Sequence, residues 1–172
     1  MPPPEISVAV RLRPPSVRAV AVLDVARRLA ALADPLAQRR GSPAFARVDV
    51  ILLGDRASAA AHRAVNGAAG PTDVITVPYA ATPAAPARAE LLVDPLVALR
   101  AAAARDPATL LPEERALPWS PSHELALYLA HGLDHLAGSE DATPAGYRAM
   151  RRRELRWLAA LSPLPALFVL RC

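Results

Sequence analysis

The N-terminal part of the chain switches between the periodicity of a β-strand and that of an α-helix, and this succession restricts the possible folds. Residues 6–12 carry apolar side chains at every second position, as in a strand with one face in water. Residues 17–33 repeat apolar side chains at helical spacing, and a second strand–helix unit follows at 48–53 and 56–66. The order predicts an α+β domain in which helices pack on a sheet.

Further elements are predicted beyond residue 66. The expected strands are 74–77 and 90–93, and the expected helices are 95–105, 122–136 and 145–161. Residues 106–121 are rich in proline and are expected to form a loop. The chain therefore predicts one domain over residues 1–172, with a small mixed sheet of about four strands and a C-terminal tail at 163–172.

Composition supports a packed domain and excludes several other classes of protein. Hydrophobic residues make up 53% of the 172 residues and aromatic residues only 4%, so the core must consist mainly of Ala, Val and Leu. This apolar content excludes a disordered tail or a miniprotein held together by disulfides. The formal net charge is +4, and all 20 basic residues are Arg, which permits an anionic partner without demonstrating one.

The sequence carries no sign of secretion or of membrane insertion. Cys172 is the single cysteine, which excludes an intrachain disulfide. The first residues lack the layout of a signal peptide. The apolar stretch at 157–170 contains two prolines and is shorter than the roughly 20 residues that a bilayer requires. We therefore expect a cytoplasmic protein without a membrane partner.

The segment from His131 to Asp141 carries the clearest chemical signal. His131 and His135 are four residues apart on a predicted helix, so both imidazoles project from one face and can share a metal ion. Gly138 can end the helix in the left-handed conformation and return the chain, so that Asp141 reaches the same ion. Two nitrogens and a carboxylate form a ligand set of catalytic zinc, which activates water for hydrolysis. The predicted metal site thus lies at the end of a long helix.

The same spacing has a plainer interpretation. Two histidines four residues apart also arise by chance, as core or surface residues of an ordinary helix. The glycine and the carboxylate that follow favour the metal site, because each has a mechanical role in it. His62 and His123 are expected to have surface or capping roles rather than to bind metal.

The segment from His131 to Asp141 and the sequence PTDVITVP at residues 71–78 are two motifs that resemble those of the YbeY family, bacterial endoribonucleases of ribosomal RNA maturation. Residues 131–141 are similar to the family pattern H-G-x-x-H-L-x-G-x-D-H, with His131, Gly132, His135, Leu136 and Gly138 in register. Residues 71–78, with the sequence PTDVITVP, resemble the family's P-T-D-V-L-S-F-P. Weaker similarity at 48–66 and 90–93 extends the resemblance over roughly residues 5–160, in the family's order.

The chain departs from the family pattern at several positions. Asp141 stands where the family has a third His, and it is also a good zinc ligand. Asn66 begins the sequence NGAAG where the family has the basic run R-G-K-D-K, whose Arg is thought to act at the active site. Arg63, one helical turn earlier, is a candidate substitute, although a solvated surface charge is the simpler interpretation. Asp134 replaces an apolar residue; it could orient a ligand, but a half-exposed helix position is favoured.

The resemblance implies a single-strand-specific endoribonuclease that matures the 3′ end of 16S ribosomal RNA and takes part in ribosome quality control. One Zn²⁺ per chain, held by His131, His135 and Asp141, would be its cofactor, and ribosomal RNA and the small ribosomal subunit its partners. The Arg-rich face from Arg148 to Arg156 could contact phosphates, although such a run is usually a solvated face.

Two other functions compete with this one. A degenerate relative could bind the ribosome without cutting RNA, since the basic run before Pro71 is missing. A metzincin-like metallopeptidase has a similar histidine spacing but needs a Glu after the first His as general base. Gly132 occupies that position and has no side chain to accept a proton.

Overall fold

The sheet at the centre of the molecule has four strands and is mixed, as predicted. The computed structural model describes residues 3–12, 17–106, 108 and 110–169, and the bounds below refer to those residues. The strands are β1 (Glu5–Val10), β2 (Arg47–Leu52), β3 (Val74–Tyr79) and β4 (Arg88–Val93). Their order is β1-β2-β4-β3, with β1, β2 and β4 parallel to one another and β3 antiparallel to β4.

Helices cover this sheet and complete the α+β architecture. They are α1 (Ala19–Arg40), α2 (Asp55–Asn66), α3 (Pro95–Ala104), α4 (Pro112–Arg115), α5 (Pro121–Leu136) and α6 (Pro144–Ala160). The helix α5 lies at the centre, in contact with α1, α3, α6 and the strands β3 and β4. In the described part of the chain, none of the helices is long and apolar enough to cross a membrane.

The core consists largely of small and branched aliphatic side chains, as the scarcity of aromatic residues requires. In β2 and β4 the buried face is formed by alternate residues. These residues are Val48, Val50, Leu52, Ala89, Leu91 and Val93. The buried aliphatic face of β4 thus packs against α5.

The first helix is longer than the sequence predicts. The sequence predicts that the helical pattern of residues 17–33 ends at Asp34–Pro35, but α1 continues to Arg40 with Pro35 inside it, and Gly41 ends it at a φ of 64°. A proline in a helix interior costs about 3 kcal/mol. Leu36 and Ala37 pack against the core and offset that cost. The sequence also predicts that Ser16 caps this helix, but Ser16 lies outside the described residues.

Two other boundaries differ from the prediction for identifiable reasons. Strand β3 continues through Pro78, which lies opposite Ala89 at the edge of the sheet, where a missing N–H is tolerated. The predicted loop at 106–121 contains the short helix α4, whose first turn begins with Pro112. The backbone N–H of Leu111 donates to the Glu114 side chain at 2.9 Å and fixes that turn.

The segment predicted as a tail packs against the rest of the molecule over its described part. Leu167 and Phe168 are buried in the core. The Leu167 N–H donates to the Ser122 hydroxyl at 2.9 Å, and Phe168 forms an isolated bridge with Val17. Residues 170–172, with the single cysteine, lie outside the described range.

Candidate metal centre

Local sequence rules explain how α5 is built. Ser120 caps its N-terminus by accepting a bond from the His123 N–H, and Pro121 occupies the first turn. Gly132 faces the sheet so closely that a Cβ at that position would lie 2.9 Å from a methyl carbon of Leu91. This close approach seats the helix on β4, with its last turn at one end of the sheet.

The predicted reversal of the chain at Gly138 is confirmed. Gly138 has a φ of 80°, in the left-handed region that glycine adopts without steric cost. Its N–H donates to the carbonyl of His135 at 2.9 Å, and the Ser139 N–H donates to the carbonyl of Asp134 at 3.1 Å. The Arg40 guanidinium donates to the Gly138 carbonyl at 2.6 Å and holds the turn against α1. The reversal carries Asp141 back toward the end of α5.

The three predicted ligands lie together. The Nε2 atoms of His131 and His135 are 3.1 Å apart. The Oδ2 atom of Asp141 lies 3.5 Å from the first of these nitrogens and 3.9 Å from the second. In a tetrahedral zinc site, ligand atoms about 2.0–2.1 Å from the ion are about 3.3 Å from one another. The spacing of the donor atoms therefore suits one small transition-metal ion.

The Nδ1 atoms of both rings, which face away from the shared space, lie beside groups that accept hydrogen bonds. His131 Nδ1 lies 2.7 Å from Oε1 of Glu154, and His135 Nδ1 lies 3.0 Å from the backbone carbonyl of Ser139. A carboxylate and a carbonyl only accept, so in the neutral rings each Nδ1 carries the hydrogen. Each Nε2 then has a free lone pair, and the two lone pairs face the same space as the Asp141 carboxylate. This donor set fits a divalent metal.

Charge at the site is unevenly distributed. Burial acts to lower the pKa of His131, but its hydrogen bond with Glu154 and the nearby carboxylates of Asp73 and Asp141 act against burial, and the net pKa is raised. The carboxylates thus concentrate negative charge around the first imidazole. Such an environment favours a cation at the site, whether a proton or a metal ion.

Glu154 belongs to the site, and the sequence analysis missed it. It is 1% exposed and lies on α6, where it shares the buried face with Met150, Trp157 and Leu158. These residues recur at helical spacing, so the sequence alone places Glu154 on an apolar face of the helix. An acidic residue is rarely buried there without a partner, and this position therefore indicates a special role.

The expectation for Asp134 is wrong. The residue is completely buried, not half-exposed, and it binds the guanidinium of Arg153 through two bonds of 2.9 Å. The Ser139 hydroxyl donates to the same carboxylate and accepts from Arg153 Nη2 at 2.8 Å. The Ser139 carbonyl accepts a hydrogen bond from His135 Nδ1, so Asp134 acts on the candidate metal centre through Ser139.

A cleft of about 450 Å³ opens beside the two imidazoles. Asn66 lines it together with Thr76 and Phe45, while the described lining contains no arginine. Arg63, the candidate substitute for the family's Arg, is exposed and is absent from that lining. Of the two positions, the structure therefore brings only Asn66 to the cleft.

The remaining histidines take structural positions. His62 Nδ1 lies 3.0 Å from the carbonyl of Gly70 and ties α2 to the loop before β3. His123 is buried at the start of α5 beside the hydroxyl of Ser120, and burial lowers its pKa. Neither is part of the His131, His135 and Asp141 cluster. The Asp73 side chain accepts a hydrogen bond from the Val74 N–H at 2.8 Å and fixes the turn into β3.

The predicted Arg-rich face of α6 is smaller than the sequence suggests. Arg148, Arg152 and Arg156 are exposed. Arg151 and Arg153 instead point inward, where their side chains are 19% and 18% exposed and form ion pairs with buried carboxylates. Only three of the five arginines remain available on the outer face.

The fold and this cluster define an α+β protein with a candidate histidine–histidine–carboxylate metal centre. The family model described as Endoribonuclease YbeY matches residues 19–162. Since that range covers most of the chain, the protein belongs to the YbeY family.

Similar proteins bear the same description. Endoribonuclease YbeY of Anaeromyxobacter sp. (strain Fw109-5) is 37% identical over 111 residues, which are 64% of this chain and 52% of that protein. Endoribonuclease YbeY of Rhodopirellula baltica is 36% identical over 85 residues, or 49% of this chain and 38% of that protein. The chain thus matches about half or less of the length of these relatives.

Proposed function

We propose that this protein is a zinc-dependent endoribonuclease that cleaves single-stranded ribosomal RNA. The observation that carries the proposal is the convergence of His131, His135 and Asp141, with both outer ring nitrogens already bonded to acceptors. The names of the relatives and the family match support the reaction class. By family resemblance, the substrate is the 3′ end of 16S ribosomal RNA and the role includes ribosome quality control.

The groups that line the cleft and those that lie behind its two imidazoles have separate tasks in such a reaction. His131, His135 and Asp141 would hold the ion, which when bound supplies Lewis acidity and lowers the pKa of water. Glu154 and the Ser139 carbonyl hold the ring protons on Nδ1. The amide of Asn66 is a polar group in the cleft wall for a substrate oxygen.

The missing arginine favours a second candidate function, that of a relative which binds ribosomal RNA without cutting it. The cleft is lined by Asn66 where the family has Arg, so a neutral amide takes the place of a charge that would stabilise a phosphodiester in the transition state. A peptidase is disfavoured, because a side chain at position 132 would collide with Leu91 and no general base fits there.

An RNA-cleavage assay separates these functions. The full chain loaded with one equivalent of zinc is incubated with a labelled single-stranded RNA, with a duplex of the same sequence, and with a casein substrate. Cleavage of the single strand that chelator abolishes and zinc restores supports the nuclease. Asn66→Arg is the informative variant: a rise in cleavage from a low level indicates that the loss of the arginine limits activity. RNA binding without cleavage in both proteins would contradict the proposed reaction.

A further inference from the structure

Glu154 is a buried acid whose closest polar neighbour is a metal-binding histidine. Its Oε1 atom lies 2.7 Å from His131 Nδ1, whereas Arg151 Nη1 lies 4.0 Å from Oε2. The guanidinium of Arg151 is engaged more closely by Glu114, at 3.0 Å. A buried carboxylate is costly unless it is paired or hydrogen-bonded. The short bond to the imidazole is therefore the main compensation for burying Glu154.

This bond has two consequences for the ring of His131. It keeps the hydrogen on Nδ1, so that the Nε2 lone pair faces His135 and Asp141, and it limits rotation of the ring about χ2. A carboxylate acceptor also raises the basicity of the opposite nitrogen. His135 has a neutral acceptor, the Ser139 carbonyl at 3.0 Å. Of the two imidazoles, only that of His131 therefore donates to a carboxylate.

We propose that Glu154 is a positioning residue that prepares His131 to bind the metal ion. The inference rests on the metal centre of the proposed function but is independent of RNA cleavage. An acceptor of this kind typically contributes 10–100-fold to metal affinity. Because α6 supplies the carboxylate and α5 the imidazole, the packing of these two helices sets the affinity of the site.

The first test measures zinc affinity by competition with a chromophoric chelator, for the full chain and for Glu154→Gln and Glu154→Ala. We expect Glu154→Ala to lose roughly 10–100-fold in affinity. Glu154→Gln keeps a neutral oxygen acceptor and should lose less. The matched control is Glu124→Gln: Glu124 is also buried, and in the described part of the chain its side-chain oxygens bind Arg105 and Trp119 rather than His131. It should lose stability without losing affinity for zinc.

The second test reads the tautomer of His131 directly, by ¹⁵N NMR of the zinc-free protein at a pH where the ring is neutral. We expect the hydrogen on Nδ1 in the wild type and a shift toward Nε2 in Glu154→Ala. Unchanged zinc affinity together with an unchanged tautomer in folded Glu154→Ala would overturn the proposal. If Glu154→Ala does not fold, the test uses Glu154→Gln, and the proposal is overturned when that variant binds zinc as tightly as the wild type does. A wild type that binds no zinc overturns both the metal centre and this role of Glu154, whereas a wild type that binds zinc but cuts no RNA overturns only the proposed reaction.

Discussion

Arg153 and Asp134 form a forked ion pair between α6 and α5, in which Nε and Nη2 each donate to a different oxygen of the same carboxylate, both at 2.9 Å. The Asp134 side chain is fully buried and that of Arg153 is 18% exposed. Ser139 joins the pair through its hydroxyl, and its backbone carbonyl meets His135. The pair therefore links the packing of two helices to the turn that carries Asp141.

Removal of Arg153 should be strongly destabilising. In Arg153→Ala the Asp134 carboxylate stays buried without its counter-charge, a situation that costs about 3–5 kcal/mol. We expect urea denaturation to show that the free energy of unfolding falls by this amount. The control is Arg152→Ala, which removes an exposed arginine that lies 3.8 Å from Glu113 and should change stability by less than about 1 kcal/mol. Adding Asp134→Asn to Arg153→Ala should recover part of the loss. Equal stability of the two single variants would contradict this account.

The sequence predicted the elements of this fold because their signals are local. The alternation in β1 and β2, the helical spacing in α5 and the glycine after it depend on neighbouring residues, and each of these predictions is confirmed. The candidate ligands His131, His135 and Asp141 also depend on a local signal, since they lie within eleven residues of one chain segment.

The partners of those ligands could not be predicted in the same way. Glu154 and Arg153 are adjacent in sequence, yet one meets His131 and the other meets Asp134, because successive helical residues point about 100° apart. Which side of α6 faces α5 depends on the packing of the whole domain. Periodicity indicated the apolar side of α6, but only the fold shows what lies opposite it.

The exposed arginines of α6 give a prediction about RNA. We expect binding of a single-stranded RNA to weaken with salt, because each phosphate contact releases counterions. The variant to test replaces only the outward residues Arg148, Arg152 and Arg156 by Ala, since Arg151 and Arg153 support the fold. If all three contact phosphates, the slope of log K against log salt should fall in magnitude by about 2.

A variant with the same net charge is the control for this prediction. Arg27, Arg28 and Arg39 are exposed on α1, and their replacement by Ala removes three positive charges from another surface. Affinity and salt dependence should then change less than in the α6 variant. Equal effects of the two triple variants would show that net charge, rather than the α6 face, governs binding.

The buried carboxyl of Asp94 leads us to expect that stability falls as the pH rises. Its carboxyl is fully buried, and its Oδ2 atom has no hydrogen-bond partner among the described residues. Burial raises its pKa, and the nearby carboxylate of Asp55 contributes to the same shift. The folded state therefore holds the proton at pH values where the unfolded chain has lost it, so this group makes stability fall as the pH rises from about 4 through its folded pKa.

The variant Asp94→Asn should remove that fall. Asn keeps an oxygen that can accept the Leu96 N–H, the capping bond that Asp94 makes at 2.9 Å, and it carries no charge to bury. We expect the variant to match the wild type near pH 4 and to exceed its stability at pH 7 by about 1–3 kcal/mol. Urea denaturation across this pH range is the measurement. A constant difference between the two proteins at every pH would exclude the titration of Asp94 as the cause.

The last prediction concerns the third metal ligand, where this chain departs from its family. Asp141→Ala leaves two imidazoles at the site, so zinc affinity and any RNA cleavage should fall together. Asp141→His should restore tight binding, because imidazole suits zinc as well as a carboxylate does. Chelator competition and metal analysis of the purified proteins provide the readout.

Glu140 is the matched control, since it is an acidic residue one position away. It is exposed, and it does not belong to the cluster in which the Asp141 oxygen lies 3.5 Å from His131 Nε2. Glu140→Ala should therefore bind zinc as the wild type does, because it leaves all three ligands in place. If Asp141→Ala kept wild-type zinc affinity and Glu140→Ala lost it, Glu140 and not Asp141 would be the third ligand. That result would require the turn after Gly138 to rearrange on metal binding, since the present backbone presents Asp141 to both imidazoles.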